Sequence, residues 1–291
     1  MMTGLPSSSQ YETREPAQSS VQILQALHVV HDPRSQNSLR QSATNFLEEI
    51  KSDHDAPYHG FALSSDRSQS SLVRHYGLSL LEHSIRYRWE NYNSEQKAGL
   101  QEWVVNLARE VVEGDPLYIS NKVAGLWVEI AKRSWALEWM DMDEVLVQLW
   151  DGSFARKALV LKILETLSED IFGHEDFTAG LRGAELNRAC FDIFTPASVL
   201  REGFPNRETS INVRYGDEGW LWRIGTLLDW CVHENTASDL AYMCATKALY
   251  TIKSIFVWML PRALVNTHTI ARVLNCLGVS MVTVQLVRQQ P

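Results

Sequence analysis

The chain has 291 residues, of which 45% are hydrophobic, so it is long and apolar enough to bury a large core. Acidic residues outnumber lysine and arginine by 35 to 27, and the net charge of −8 disfavours a protein that coats nucleic acid through its global charge. The four cysteines, Cys190, Cys231, Cys244 and Cys276, are far apart and form no CxxC pair. This usage favours reduced thiols in or near the core of an intracellular protein.

The amino-terminal stretch 1–20 is polar and contains prolines, which predicts a flexible tail. It lacks the apolar core of a signal peptide. No segment approaches the roughly 20 consecutive apolar residues that a membrane span requires. We therefore expect a soluble protein without membrane insertion.

From residue 21 onward, apolar residues recur at helical spacing almost without interruption, and strand patterns are nearly absent. Segment 201–219 differs, because it is dense in turn-forming residues and predicts a loop insert. The predicted helices are 21–31, 37–51, 57–63, 70–91, 94–111, 116–134, 140–150, 153–172, 183–194, 196–201, 218–233, 236–259 and 261–276.

About a dozen helices joined in pairs by short turns favour an all-α solenoid of helical hairpins, with a period of about 35 to 45 residues. A single large all-α globule is the alternative. The final apolar stretch 279–286 lacks the polar outer face of a terminal repeat. We therefore expect an amino-terminal fragment of a longer array, or a truncated product.

The sequence contains none of the GxSxG, GxxxxGK[ST], GxGxxG and HExxH motifs. The histidine pairs His28/His31 and His75/His83 have no ligand partners at metal-binding spacing. We therefore predict no enzyme activity, catalytic residue, cofactor or metal.

Two further residue classes have a structural and a functional interpretation. The ten tryptophans lie on helical stripes, so packing between hairpins is favoured over a stacking platform for bases. Two acidic clusters favour helix caps or solvated faces over paired catalytic carboxylates. The clusters are Asp141, Asp143 and Glu144, and Glu165, Glu169 and Asp170.

Basic residues on two segments, 73–89 and 128–139, have a spacing that would place them on one surface of a solenoid. The residues are Arg74, Arg86, Arg88, Lys132 and Arg133. They would form a patch that binds a partner. Alternatively, they are a solvated face whose aliphatic stems cover apolar neighbours.

Three segments, RQSATNFLEEIK (40–51), VRHYGLSLLEHSIRYRW (73–89) and VEIAKRSWALEW (128–139), resemble the start of the exportins of the importin-β (karyopherin-β) superfamily. The resemblance runs from about residue 21 to 169 and is strongest to the exportin-5 branch and its fungal counterpart. Its most specific part is Leu80, Leu81, Glu82, His83, Arg86, Arg88 and Trp89.

The resemblance implies a right-handed α-solenoid, or superhelix, of HEAT repeats. Residues 21–112 would be amino-terminal importin-β-like repeats that engage the GTPase Ran, and residues 113–291 an exportin-1-like region with the insert at about 201–219. The second helices of the first three hairpins, at about 39–51, 71–89 and 117–133, would face Ran. The implied Ran-binding residues are Arg74, His75, Arg86, Arg88, Lys132 and Arg133.

The function implied by the resemblance is nuclear export, in which Ran in its GTP state and cargo bind cooperatively and the receptor shuttles between nucleus and cytoplasm. Expected partners are RanGTP, protein cargo including phosphorylated proteins, structured RNA or tRNA, and nuclear pore proteins. Two alternatives stay open: an import receptor of the same superfamily, and a HEAT-repeat scaffold that binds no GTPase.

Overall fold

The computed structural model describes residues 16–172, 176–194, 205–206, 219–233 and 239–258. The chain divides into two units, Met1–Ser84 and Ile85–Pro291. Several predictions lie outside the described residues. They are residues 1–15 of the tail, the helices 196–201 and 261–276, the apolar stretch 279–286, and all of the insert at 201–219 except residues 205, 206 and 219. The boundary between residues 112 and 113, which the resemblance implies between two groups of repeats, stays a prediction.

The helices of the first unit are α1 (Pro16–His31), α2 (Asn37–Lys51), α3 (Ala56–Ser65) and α4 (Ser71–Arg88), whose last turn belongs to the second unit. Helix α1 begins within the predicted tail, since proline is well tolerated in a first helical turn. Helix α2 ends at Lys51 as predicted, and Pro57 lies in the first turn of α3 as predicted.

The core of the first unit forms where α1 packs on α2. Its buried residues come from all four helices: Ile23, Ala26, Leu27, Leu47, Ile50, Leu63 and Leu80. The hydroxyl of Tyr76 reaches this core and donates a hydrogen bond of 2.8 Å to the carbonyl oxygen of Leu47. Burial, and secondarily the charge of Glu48, raises the pKa of Tyr76.

Helices α3 and α4 approach each other through two glycines. A Cβ atom added at Gly77 would lie 2.7 Å from the carbonyl oxygen of Gly60 and 2.8 Å from the amide nitrogen of Ser64. One added at Gly60 would lie 2.9 Å from the carbonyl oxygen of Gly77. Because these contacts are with backbone, side-chain rotation cannot relieve them.

The second unit contains a short 3₁₀ helix and eight α-helices in its described residues. After the 3₁₀ turn Trp89–Asn91 come α5 (Ser94–Arg109), α6 (Leu117–Ser134), α7 (Met142–Trp150), α8 (Phe154–Phe172), α9 (Phe177–Leu181), α10 (Gly183–Phe194), α11 (Gly219–His233) and α12 (Asp239–Trp258). The residue that caps α5 is Asn93. The Asn93 side chain accepts from the Gln96 amide, and the Gln96 side chain accepts from the Asn93 amide.

Helices in the second unit pack largely in an ordered series. Helix α6 packs against α5 and α8, α8 packs against α12, and α12 packs against α11. The hydroxyl of Thr251 in α12 donates to the carbonyl oxygen of Leu161 in α8 over 3.0 Å. Outside helices, the described residues contain one isolated bridge, between Trp135 and Trp139. The predicted all-α class of HEAT-like helical hairpins is confirmed.

Tryptophans are core residues in this unit, as predicted. Trp127, Trp135, Trp139 and Trp220 are almost completely buried. The ring centroids of Trp127 and Trp139 lie 4.9 Å apart, and those of Trp150 and Trp220 lie 5.5 Å apart with the rings nearly perpendicular. The described cysteines Cys190, Cys231 and Cys244 are free and buried, also as predicted.

One of the acidic predictions is wrong. Asp143 does not lie on a solvated face, because it is fully buried and accepts a hydrogen bond of 3.1 Å from the indole nitrogen of Trp220. The described helices include none that could cross a lipid bilayer.

We expect Gly77→Ala to lower the free energy of unfolding by about 1–3 kcal/mol, because the added methyl group forces α3 and α4 apart. Gly99→Ala in α5 is the matched control. No atom lies within 4 Å of its added Cβ, so helix propensity should stabilise it by up to about 1 kcal/mol. Urea unfolding of both variants measures the difference, and equal midpoints would contradict the close approach.

Candidate partner-binding site

Two of the six predicted partner-binding residues lie in the first unit, in the early turns of α4. Arg74 is half-buried, and its Nε donates to the carbonyl oxygen of Ser64 over 3.3 Å. His75 is half-buried too. The other four lie in the second unit, in the last turns of α4 and α6.

Glu129 of α6 brings three of these four residues together. Arg133 donates to the Glu129 carboxylate over 2.7 Å, and Lys132 donates to its other oxygen over 2.8 Å. The Arg86 Nε lies 3.7 Å from the same carboxylate, and Arg133 also donates to the carbonyl oxygen of Arg86 over 3.3 Å. These contacts fix the end of α4 against α6. Arg88 lies apart, with its guanidinium 5.9 Å from the centre of the Tyr92 ring.

Lys132 occupies the centre of a carboxylate cage, which consists of Glu129, Asp170 and Asp176. Its ammonium group donates to Glu129 over 2.8 Å, to Asp170 over 2.9 Å and to Asp176 over 2.7 Å. The three acids come from α6, from α8 and from the residue that caps α9. Since ammonium has three donors and no acceptor, the cage uses its full hydrogen-bonding capacity.

The cage also stabilises the charged forms of Lys132 and Asp176. Burial alone would lower the pKa of Lys132, but the hydrogen bonds that Asp176, Glu129 and Asp170 accept from it outweigh burial and raise that pKa. Burial alone would raise the pKa of Asp176, but Lys132 and the Ala179 amide outweigh it and lower that pKa. Lys132 and Asp176 are therefore both charged at neutral pH.

The carboxylate cage has the donor spacing of a metal site, because its ligand atoms lie within 4.8 Å of one another. It is the one such group among the described residues. The ammonium of Lys132 already lies at hydrogen-bonding distance from each acid. The arrangement is therefore a buried ion cluster that joins three helices.

Arg182, just after α9, satisfies carbonyl groups at the end of α6. It donates to the carbonyl oxygen of Trp135 over 2.6 Å and to that of Lys132 over 3.2 Å. The last carbonyl groups of a helix have no partners within that helix, so an arginine at this place stabilises its end. Asp176 similarly caps α9, by accepting the Ala179 amide over 2.8 Å.

Exposure separates the predicted residues into different roles. The Arg86 side chain is 45% exposed, whereas those of Arg133 and Lys132 are 10% and 1% exposed. Tyr87 beside Arg86 is 70% exposed. The surface formed by Arg86, Tyr87 and Arg133 is the α4–α6 edge. Lys132 lies beneath it and supports Glu129.

The sequence interpretation missed the burial of Lys132. The i, i+3 spacing of Glu129 and Lys132 is common on solvated helices, so it does not indicate that Lys132 is buried. A possible signal was the setting of Lys132 within α6, where Ile119, Val123, Leu126, Trp127 and Ile130 are all buried. A lysine inside so apolar a helix requires anionic partners.

We expect Lys132→Met to cost about 3–5 kcal/mol of unfolding free energy at neutral pH, because it removes the central cation that three carboxylates share. Lys51→Met is the matched control, since Lys51 pairs with Glu48 at the same i, i+3 spacing on the surface. There the cost should not exceed about 1 kcal/mol. Urea unfolding measures both.

The pH dependence of the same comparison follows from the pKa shifts. A lowered Asp176 pKa contributes stability above the ordinary value of 3.8, and this is lost as the pH falls through the folded-state pKa. A raised Lys132 pKa contributes below 10.5 and is lost as the pH rises through its folded-state value. The difference between wild type and Lys132→Met should be level between these limits and shrink in acid. A difference that grows in acid would contradict the carboxylate cage.

Comparison with known proteins gives consistent relatives, although no family model matches the chain. Protein MSN5 of Saccharomyces cerevisiae is 29% identical over 88% of this chain and 22% of its own length. Exportin-5 of Dictyostelium discoideum and exportin-5 of Homo sapiens are each 30% identical over 52% of this chain and 13% of their own length.

The chain spans about a fifth of the length of the first two curated relatives that it matches. The similarity to exportin-5 from two organisms agrees with the resemblance of the segments 40–51, 73–89 and 128–139. The chain is therefore a relative of exportin-5 and of the yeast protein MSN5.

Proposed function

We propose that the chain is the part of a nuclear export receptor that engages Ran in its GTP state, cooperatively with cargo. Its relationship to the exportins carries this proposal. The receptor would shuttle between nucleus and cytoplasm through contacts with pore proteins. Cargo would be protein, including phosphorylated protein, or structured RNA and tRNA. The domain roles proposed are Ran engagement by residues 21–112 and an exportin-1-like region at 113–291.

The mechanism of such a receptor is thermodynamic linkage. RanGTP and cargo would favour the same conformation of the receptor, so each raises the affinity of the other by the same factor. Hydrolysis of GTP on Ran removes one of the two ligands and releases the other. The net charge of −8 would steer basic surfaces of Ran and protein cargo toward the receptor.

The predicted residues take different parts in this proposal. Arg86, the most exposed cation of the α4–α6 edge, would contact Ran directly. Arg133 would fix the end of α4 through its bond to the Arg86 carbonyl. Lys132 would be a positioning residue, since its ammonium is enclosed by carboxylates. Arg74, His75 and Arg88 remain proposed contact residues.

We expect the 291-residue chain to retain Ran loaded with a non-hydrolysable GTP analogue and not Ran loaded with GDP. The reason is that a nucleotide-dependent receptor must distinguish the two states of the switch. A pull-down with immobilised chain measures the retention. Equal or absent retention would favour the scaffold alternative. Weaker cargo binding in the presence of RanGTP would favour the import receptor instead.

We expect Arg86→Gln to weaken binding of RanGTP by about 5- to 30-fold, corresponding to about 1–2 kcal/mol, if the α4–α6 edge is the contact. The substitution removes the charge and retains the backbone carbonyl to which Arg133 donates. Arg109→Gln is the matched control, because Arg109 is an exposed arginine in the last turn of α5. Equal affinities of the two variants, measured by titration, would exclude Arg86 from the interface.

A further inference from the structure

Two loops of the first unit share a sequence. The loop before α2 and the start of that helix have the sequence DPRSQNSL (32–39). The loop before α4 and the start of that helix have the sequence DRSQSSL (66–72). Each contains the triplet arginine-serine-glutamine one or two residues before its helix begins. We call residues 32–36 and 66–70 the twin loops. The shared triplet is a short sequence repeat that precedes α2 and recurs before α4.

The aspartates of the twin loops have a structural explanation. The carboxylate of Asp32 accepts the amide of Arg34 over 2.9 Å, and that of Asp66 accepts the amide of Ser68 over 2.9 Å. Each closes a turn of the type that aspartate favours. The Gln36 side chain, by contrast, is exposed and makes no cap hydrogen bond to α2. The turn alone does not require a glutamine there.

The twin loops lie on the surface of the first unit. Ser68 and both loop arginines, Arg34 and Arg67, are exposed, and Ser35 is half-buried. The twin loops also border one cleft of about 420 Å³, to which the first contributes Asp32 and the second Ser70. The two serines therefore lie at the same end of the first unit.

We propose that Ser35 and Ser68 are acceptors for a protein kinase that selects serine followed by glutamine. In each step the serine oxygen forms a bond to the γ-phosphorus of ATP while the bond to the β,γ-bridging oxygen breaks. ADP leaves, and the hydroxyl proton passes to the general base of the kinase. The duplicated triplet at equivalent loop positions carries this inference.

The two modifications have different physical consequences. A phosphate on Ser35 lies beside Arg40, whose guanidinium already donates to the carbonyl oxygens of Asp32 and Ser35 over 3.0 and 3.4 Å. Charge-assisted bonds to that guanidinium stabilise the first loop.

A phosphate on Ser68 acts in the opposite direction. The Ser68 hydroxyl donates to the Asp66 carboxylate over 2.6 Å, and phosphorylation replaces this donor with a dianion beside that carboxylate. Like-charge repulsion then opens the second loop at the start of α4. An effect on Ran binding through α4 rests on the proposed function, whereas the modification itself does not.

The test is incubation of the 291-residue chain with ATP, Mg²⁺ and a serine-glutamine-directed kinase, followed by mapping of phosphate by mass spectrometry. We expect phosphate on Ser35 and Ser68. Gln36→Ala and Gln69→Ala should each lower the occupancy of the preceding serine at least about tenfold. Gln36→Ala is the cleaner variant, because Gln69 also donates to Asp66. Circular dichroism verifies that the variants are folded.

Two internal comparisons make the result decisive. Ser9 and Gln10 form a third serine-glutamine pair outside the described residues, so phosphate there shows that the kinase is active on this chain. Ser38→Ala removes an exposed serine followed by leucine and should leave the phosphate on Ser35 and Ser68 unchanged. Phosphate on Ser9 without Ser35 and Ser68, or occupancy unaffected by the glutamine substitutions, would overturn the proposal. A failed Ran pull-down would leave it intact.

Discussion

A lysine ammonium buried where α6, α8 and α9 meet governs the arrangement of the second unit. Removing one ion from water costs several kcal/mol, and this cost is offset only where opposite charges and hydrogen bonds surround it. Lys132 meets that condition with three carboxylates within 2.9 Å. Because the acids belong to different elements, the helices must assemble in one geometry for the charges to be satisfied.

Glu129 links the buried Lys132 to an arginine on the surface. One carboxylate oxygen of Glu129 binds Lys132, while the other binds Arg133, and Arg133 in turn binds the carbonyl of Arg86. The position of the exposed Arg86 on the α4–α6 edge is thus linked to the buried Lys132 beneath it. If Arg86 contacts a partner as proposed, this pre-organisation would reduce the entropy lost on binding.

The proposed kinase sites in the first unit depend on electrostatics of another kind. The twin loops are exposed, so a charge added there is solvated and acts over a short range. Its effect depends on the charged groups close by, which are the Arg40 guanidinium at the Ser35 carbonyl and the Asp66 carboxylate at the Ser68 hydroxyl. One modification chemistry can therefore order one loop and disorder the other.

Helical periodicity, proline and glycine positions and the tryptophan stripes determined the all-α class and most helix boundaries, because these are local properties of the chain. The resemblance to exportins likewise depended on short sequence segments such as residues 73–89. Only the tertiary structure decided which charged side chains are buried and which are exposed to solvent. Lys132 and Asp143 look solvated in a linear pattern, yet both are buried, because their partners Asp176 and Trp220 come from distant parts of the chain. Burial is a property of the packed chain, and helical spacing alone does not reveal it.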